Sequence, residues 1–577
     1  MNIQLSDDTS FDWKVQKIAV IGPGIVGMPM AALLANSRIK IGTDEPAKVV
    51  VVQRNSKNSG WKVDAINSGK SVIGGIEPGL NAIVEECVNE GLLSATHDYS
   101  QLSDADVVLV CVQTDKKGFE PDYGPLFGAL ETLATALQNK PAHKVPMVVF
   151  ESTLAPSTMS SLIKEHFAKY DLHEGKDILL GNSPNRVMPG RLVHRVTHSD
   201  KLIGGLHPAT PGMIKTIYEN IVTEGTLHTT NSMTAETVKT LENAYRDVRI
   251  AFSTEIVRYC DENNIDYYAL RDQVNAAMAQ SDDATADPNA VPSGGLLIPM
   301  VGVGGHCLPK DGILMWWRKI ESGASTENSL IVRSREINDE SPAKTIELTE
   351  KKFGDVAGKT VAVLGAAYRF NSEDTRNSPS IVLANQLREK GANVTLHDYY
   401  VKSDDQHITM FNVEDIFTND IETAVKDADI LIFGTAHKFY MDDRDDILAK
   451  ATKAVGVVDG CNLYKREDIE SKGLGYTGIG RGTEAPSPEF VKFVTDSFIS
   501  MEVGTANEVL AMTQFLNDRY AEGEFNKVKM KDVQVQAASC STGCIIVDPA
   551  PVTEVPEYQG FKTLLASYAF NQNAPVA

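Results

Sequence analysis

Cysteine is scarce in this chain: seven in 577 residues, an odd number. That excludes the disulfide framework of small secreted domains and points to a reducing compartment. Long apolar runs are missing too, none nearing the ~18 residues of a membrane-spanning helix. The segment up to Trp13 is acidic and polar, without the basic–apolar order of a secretion signal. Positive charge is short: 55 Lys and Arg face 77 Asp and Glu, a formal net charge of -22. Such a field opposes nucleic acid and anionic membrane as partners. The expectation is a cytoplasmic protein, whose anionic substrate, if it has one, needs locally clustered Lys and Arg. An apolar fraction of 42% is ample for buried cores, and the length predicts roughly three to four domains.

What is present concentrates first in Gly302-Val303-Gly304-Gly305-His306-Cys307-Leu308-Pro309-Lys310-Asp311. The glycines let the backbone approach a ligand closely. Pro309 fits the first turn of a helix, where its missing N–H has no partner to lose. Cys307 then stands just before a helix N-terminus, whose dipole and amides stabilise a thiolate. Lys310 adds positive charge, and Asp311 falls about one turn from Cys307. An activated nucleophile is the functional reading; a buried structural cysteine is the other.

A second signal begins with the apolar strand Lys17 to Ile21, followed by Gly22-Pro23-Gly24-Ile25-Val26-Gly27 and the apolar helix Met28 to Leu34. This is the dinucleotide fingerprint in its required setting of strand, glycine turn and helix. The next strand, Val49 to Val52, ends in Gln53-Arg54-Asn55-Ser56, where an Asp or Glu normally holds the ribose hydroxyls. An arginine there reads a 2′-phosphate, or is simply solvated, so NAD and NADP both stay open.

Apolar runs Val107 to Val112 and Met147 to Phe150 read as buried parallel strands, ending at Gln113-Thr114-Asp115 and Glu151-Ser152-Thr153. A further strand around Ile178 to Leu180 leads to Asn182 through Gly190, and the first domain is expected to close near residue 210. From Pro211 to about residue 279 the sequence reads as helix, with Lys239 and Asn243 spaced to share one face. A low-complexity loop, Ser281 to Gly295, precedes the cysteine segment. Lys359 to Arg369 opens a second α/β unit with a degenerate glycine pattern. Asn371 to Pro379 starts its next helix, and runs follow at Asn393 to Leu396, Ile430 to Phe433 and Ala454 to Val458. Past Arg481 come a helix-like Phe490 to Tyr520, a strand-like Val533 to Ala537, and Cys540 and Cys544. Those two cysteines lack the further ligands of a zinc site, so no metal is expected.

These motifs, in this order, resemble the UDP-glucose/GDP-mannose dehydrogenase family from about Lys17 to Arg481. The glycine turn, Glu151 to Pro156, the Lys239/Asn243 helix, Gly-Gly-His-Cys and Tyr368 to Pro379 carry the resemblance. Gly304 to Cys307 and Glu242 to Val248 are most similar to the branch acting on UDP-N-acetylhexosamines, notably UDP-N-acetylmannosamine. The resemblance implies an α/β fold of two Rossmann-like domains joined by a long central helical dimerisation region, plus a C-terminal extension. In numbers that is an NAD-binding domain over 1–210, a central helical domain over 211–330, a UDP-sugar domain over 331–483 and an extension of unassigned role over 484–577. The implied activity oxidises a sugar C6 alcohol to a carboxylate in two NAD-dependent steps. Cys307 is then the nucleophile forming a thiohemiacetal and a thioester, Lys239 and Asn243 stabilise the oxyanion, and Asp311 orients or activates water with Thr153. Cofactor binding falls to Gly22, Gly24, Ile25, Val26, Gly27, Arg54, Thr114 and Thr153. Substrate binding falls to Arg186, Lys239, Asn243, Gly304, Lys310 and Arg369. The family dimerises through its central region, and the stripe Ile214, Ile217, Tyr218, Ile221 has helical spacing suited to that, with intramolecular core as its other reading. A homodimer or higher homo-oligomer is expected.

Three departures stand out. Asn185 replaces the family's glutamate that assists thioester hydrolysis, Cys461 replaces an arginine near the substrate, and Gln53-Arg54 replaces the ribose-binding acid. UDP-glucose and GDP-mannose 6-dehydrogenases are the nearest alternatives. A two-electron dehydrogenase of the 6-phosphogluconate type shares the Lys-x-x-x-Asn helix but needs no cysteine, and yields one reduced cofactor per sugar instead of two. A non-catalytic relative used for binding or assembly is the alternative of another class.

Overall fold

A computed structural model describes residues 2–6, 9–57, 59–74, 77–187, 190–279, 295–327, 329–539, 544, 546–550 and 563. Most of the Ser281 to Gly295 loop, Met188, Pro189 and Cys540 therefore lie outside the described residues. The chain divides into two compact units. One comprises Met1–Glu242, Leu314–Gly323 and Val509–Ile546; the other comprises Asn243–Ile313, Ala324–Glu508 and Val547–Ala577.

The first unit opens with a hairpin that the polar N-terminus did not announce: β1 (Asn2–Ser6) pairs antiparallel with β2 (Thr9–Asp12). The fingerprint strand β3 (Lys17–Ile21) and helix α1 (Gly27–Asn36) follow, then β4 (Lys48–Val52), β5 (Leu93–Thr96) and β6 (Val107–Val110). A small hairpin, β7 (Asp115–Lys117) with β8 (Glu120–Asp122), precedes β9 (Met147–Phe150), β10 (Leu179–Asn182), β11 (Lys201–Gly205), α2 (Thr210–Tyr218) and β12 (Leu227–Asn231). The main sheet has the order β12-β11-β10-β9-β6-β3-β4-β5 and is parallel except between β10 and β11. The chain leaves β3 first toward β4 and β5, then returns to β6 and beyond. The crevice between the carboxyl ends of β3 and β6 is thus the switch point where such sheets bind ligands.

Two expectations fail in this unit. The segment after Pro211 is not all helix, because β12 pairs parallel with β11, Lys201 opposite Leu227. The sheet therefore runs well past residue 210. Gly225 marks the break: a Cβ there would lie 2.3 Å from the Ser199 carbonyl oxygen. The stripe Ile214, Ile217, Tyr218, Ile221 is not an interface either. All four side chains lie in the core with Val196, Leu179 and Ile203, so the helical period marks the sheet-facing side of α2.

Helix α3 (Ser232–Glu262) carries Lys239 and, one turn later, Asn243; α4 (Tyr267–Ala279), α5 (Leu308–Glu321) and α6 (Leu330–Phe353) follow. The second unit's sheet contains β13 (Thr360–Leu364), β14 (Asn393–His397), β15 (Phe417–Thr418), β16 (Ile430–Phe433), β17 (Gly456–Asp459) and β18 (Gly475–Gly478). Helix α7 (Pro379–Glu389) lies between β13 and β14 in sequence. Its order, β15-β14-β13-β16-β17-β18, is parallel throughout. It is a smaller repetition of the first theme, with its own switch point between β13 and β16.

The extension forms the 33-residue helix α8 (Pro488–Tyr520) and α9 (Met530–Ala538). The strand expected at Val533 to Ala537 is thus a helix. Its Val-Gln alternation imitates a strand, but the buried positions are Val533, Gln536 and Ala537, while Val535 is 58% exposed. That is the i, i+3, i+4 period of a helix. Among the described residues no helix is long and apolar enough to cross a membrane.

Shortening a core residue of the α2 stripe tests its reassignment. Ile217→Ala should destabilise the fold by about 2–5 kcal/mol in denaturant titration and leave the mass measured by light scattering unchanged. A halved mass would return the stripe to an interface.

Candidate active site

In the first unit the glycine turn caps the carboxyl end of β3. Gly22 has φ +90°, and a Cβ there would meet the Cys111 carbonyl oxygen at 2.9 Å. A Cβ on Gly27 would come within 2.1 Å of the Gly22 carbonyl oxygen, whereas Gly24 faces open space. Two glycines are fixed by backbone packing and one leaves room, so the turn fits a pyrophosphate at the start of α1, beside Ile25 and Val26. Arg54 is exposed past the end of β4. Sequence reasoning passed over Lys62, whose Nζ lies 3.3 Å from the Pro23 carbonyl oxygen within the turn. It brings the local cation that an anionic ligand needs. Thr114 donates its hydroxyl to the Thr153 carbonyl at 2.7 Å, linking the ends of β6 and β9.

Behind those ends lies a buried polar knot. Glu151 accepts from Lys201 Nζ and from Asn185 Nδ2, each at 2.7 Å, and from the Tyr218 hydroxyl. Asn185 therefore serves the Glu151 carboxylate, a contact for which its amide is the right donor and a glutamate the wrong one. Burial, then the neighbouring Glu151, pushes both the Cys111 thiol and the Tyr218 phenol well up. Arg186, expected to bind substrate, forms a buried two-pronged pair with Glu242 and donates to the Asp200 carbonyl at 3.1 Å. Its fork is engaged within the protein. Lys239 is 7% exposed, and among the described residues its ammonium has no hydrogen-bond or ion-pair partner. A buried cation so placed is suited to a transient anion.

In the second unit α5 starts where its sequence predicts. The Cys307 carbonyl accepts from the Lys310 and Asp311 amides at 3.1 and 2.9 Å. Cys307 thus occupies the N-cap position, exposed, where the helix dipole favours a thiolate. Asp311 is fully buried. Its Oδ2 accepts from Asn243 Nδ2 at 2.6 Å, and its Oδ1 has no hydrogen-bond partner among the described residues. Lys310 is buried with Nζ 3.7 Å from Asp311 Oδ1 and 3.4 Å from His306 Nε2. Cys307, Asn243, Lys310 and Asp311 are therefore one cluster.

Gly304 has a different use from the one expected. A Cβ there would sit 2.4 Å from the Tyr368 Cβ and 2.9 Å from the Asn377 carbonyl oxygen. The missing side chain makes room for the Tyr368 to Pro379 segment. That segment also supplies Arg376, another residue not singled out from the sequence. Asp374 binds it at Nε and Nη2, and this carboxylate above all, with the Cys307 thiol adding to it, holds the guanidinium pKa above its ordinary value. Arg369 is half-buried, its guanidinium 5.9 Å from the Phe370 ring centre.

The second glycine turn is self-satisfied. The Ala366 and Ala367 amides, following Gly365, both donate to Asp398 Oδ2, at 2.8 and 2.9 Å. His437 Nε2 also reaches that oxygen, at 3.0 Å. Amides that face phosphate in a dinucleotide domain are here taken by a resident carboxylate. Cys461 is buried among Phe433, Tyr440 and Tyr464, where no guanidinium would fit. Arg481 instead bonds Asn462 and lies 4.2 Å over the Tyr268 ring.

A parallel sheet with an open glycine turn suits a dinucleotide, and a cysteine capping a helix beside a buried acid suits a thiolate. The NAD-binding domain of the UDP-glucose/GDP-mannose dehydrogenase family matches residues 16–222, its central domain 233–340 and its UDP-binding domain 362–466. The chain belongs to the UDP-glucose/GDP-mannose dehydrogenase family, whose members are NAD-dependent nucleotide-sugar dehydrogenases. It is 30% identical to UDP-N-acetyl-D-mannosamine dehydrogenase of Pyrococcus horikoshii over 472 residues, covering 81% of this chain and 99% of that one. The enzyme of that name from Campylobacter jejuni is 29% identical, covering 74% and 97%. Among solved structures, NDP-N-acetyl-D-galactosaminuronic acid dehydrogenase of Methanosarcina mazei is 31% identical, with a TM-score of 0.68, covering 81% and 96%.

One buried acid gives a pH signature. Glu236 accepts from the Ser157 and Met159 amides at 2.8 and 2.9 Å, and burial pushes its carboxyl up to about 8. A raised carboxyl favours the folded state below its unfolded pKa, and that contribution is lost as pH rises through about 8. Between the ordinary carboxylate range and pH 8, native stability should therefore fall more steeply than that of Glu236→Gln. Denaturant titrations across pH should show a difference in slope of up to about 1.4 kcal/mol per pH unit.

Proposed function

We propose that this protein oxidises the C6 alcohol of a UDP-N-acetylhexosamine, UDP-N-acetylmannosamine first, to the uronate through a covalent intermediate on Cys307. The observation that carries the reading is the Cys307–Asn243–Asp311 cluster at the start of α5. The relatives' substrates and the match to the UDP-binding domain support the choice of sugar nucleotide. UDP-glucose and GDP-mannose are the alternative substrates.

Gly22, Gly24, Ile25, Val26 and Gly27, with Thr114, Thr153 and Lys62, would hold NAD, which would supply the hydride acceptor for both oxidations. Cys307 Sγ adds to the aldehyde carbon, and the S–C bond keeps that carbon tethered until it reaches the acid level. Lys239 and Asn243 face the oxyanion, the unpartnered ammonium gaining its counter-charge only as the oxygen becomes negative. Asp311, whose Oδ1 accepts no hydrogen bond among the described residues, takes a proton from the water that attacks the thioester. That attack breaks the S–C bond, releases the carboxylate and returns the thiol. Asn185 takes no proton; it holds Glu151 in place. Arg376 supplies positive charge beside the thiol. Arg186, paired with Glu242, shapes the loop rather than gripping the sugar.

The assembly we propose is a homodimer in the cytoplasm, formed through surfaces other than the buried α2 stripe. Light scattering at micromolar concentration tests it, and a monomer would overturn it. The activity is tested by following reduced nicotinamide with UDP- and GDP-sugars. The expected result is two reduced cofactors per uronate. Cys307→Ser should lower the rate of acid formation by several orders of magnitude, and undiminished turnover would end the nucleophile assignment.

A further inference from the structure

The family match ends at residue 466, and the Pyrococcus horikoshii relative covers 81% of this chain. We infer that this extension is a positioning brace for the helices that carry the reacting residues, with Glu502 and Glu508 as its working groups. The inference rests on the reading of Cys307, Asn243 and Asp311 given above.

Within the second unit α8 runs antiparallel along α3. The Phe490 ring lies 5.0 Å from Tyr259, Phe498 meets Phe252 edge-on at 5.7 Å, and Glu502 Oε1 accepts from the Tyr245 hydroxyl at 2.6 Å. The α3 partners fall at steps of seven residues, two turns each, so one face of α3 is engaged from its middle to its end. Arg249 fills the gap between them, its guanidinium 5.8 Å from both the Tyr245 and Phe498 rings. Tyr245 stands two residues after Asn243, the donor to Asp311.

Glu508 acts on a different helix. It is fully buried and accepts from the Ser329 hydroxyl at 2.7 Å and from the Leu330 and Ile331 amides at 2.9 and 3.3 Å. A carboxylate on orphan amides at a helix N-terminus is a cap whose charge also suits the dipole. The capped residue Ile331 then reaches the catalytic turn. A Cβ on Gly312, beside Asp311, would meet Ile331 Cγ2 at 3.0 Å and Ala244 at 3.7 Å. Asp311 is thus seated between α3 and α6, one steadied by Glu502 and the other by Glu508. From α6, Arg335 and Asn338 further bind Asp247 of α3, each at 2.8 Å. In the first unit the later turns of α8 meet the far end of α5. The Arg318 guanidinium lies 4.9 Å from the Tyr520 ring and the Lys319 ammonium 5.9 Å from Phe515.

Because these contacts end on the thiol-side turn, the brace governs kcat and thiol reactivity more than sugar-nucleotide affinity. The full-length chain carrying Glu508→Gln, and separately Glu502→Gln and Tyr245→Phe, is compared with the native protein. Expected is a loss of kcat of tenfold or more in Glu508→Gln, with KM for the UDP-sugar within twofold. Glu508→Asp should recover part of the rate. Glu502→Gln and Tyr245→Phe should each lower kcat, and combined they should lower it no further than either alone. The rate of Cys307 alkylation by iodoacetamide, read by peptide mass spectrometry, should change at least threefold in Glu508→Gln. Native kcat and native alkylation rate in folded variants overturn the brace. If Glu508→Gln does not fold, the Glu502 and Tyr245 variants carry the same test. A native protein that turns over no sugar nucleotide would instead reject the proposed reaction, while the alkylation rates still decide the brace.

Discussion

A single hydrogen bond, 2.6 Å from Asn243 Nδ2 to Asp311 Oδ2, fixes the arrangement on which the proposed chemistry turns. It joins the long helix α3 to the first turn of α5, and that turn cannot shift without moving Cys307, whose carbonyl starts the helix. The bond is costly to disturb because the carboxylate is fully buried, and a buried charge stripped of a partner is strongly destabilising. Glycine at 312 belongs to the same arrangement: a Cβ there would press on the Ile331 side chain at 3.0 Å and touch Ala244 at 3.7 Å.

The two α/β sheets show how one architecture is put to different uses by a few polar groups. At the first switch point a Cβ on Gly24 would meet nothing within 4 Å and no carboxylate stands at the end of β4, so the turn leaves room for a ligand. At the second, Asp398 fills the same role from within, and the turn becomes a closed structural joint bound by His437. The difference lies in where one acid sits, not in strand order. It accounts for a degenerate glycine pattern in the second unit: a turn that meets its own carboxylate has no need to admit a pyrophosphate.

Buried charge is handled in pairs at three places. Glu151 with Lys201, Arg186 with Glu242, and Asp247 with Arg335 are each almost wholly excluded from solvent. Lys239 differs from these, its ammonium making no hydrogen bond or ion pair among the described residues. A cation not committed to a carboxylate of the protein is suited to an anion supplied by a ligand or transition state.

The parallel strands, the fingerprint turn and the helix starting after Cys307 were legible in the sequence because each rests on local physics: apolar runs, glycines where no Cβ fits, proline in a first turn. Lys239 and Asn243 were legible as a pair because helical spacing alone puts them on one face. Local pattern misled where tertiary contacts overrode it. Val533 to Ala537 alternates like a strand, yet its buried face has helical period; Leu227 to Asn231 joins a sheet because β11 offers a free edge. Residues whose partners lie far off in sequence could not be placed at all. Arg186 finds Glu242 across 56 positions and Asn185 finds Glu151 across 34, while Glu508 reaches Ser329 across 179. The sequence by itself determined most of the parallel strands, the fingerprint turn and the helix start after Cys307, since those follow from short-range sterics and side-chain chemistry. Only the tertiary structure decided which carboxylate each donor meets, because desolvation rewards a polar contact solely where the fold buries both groups together.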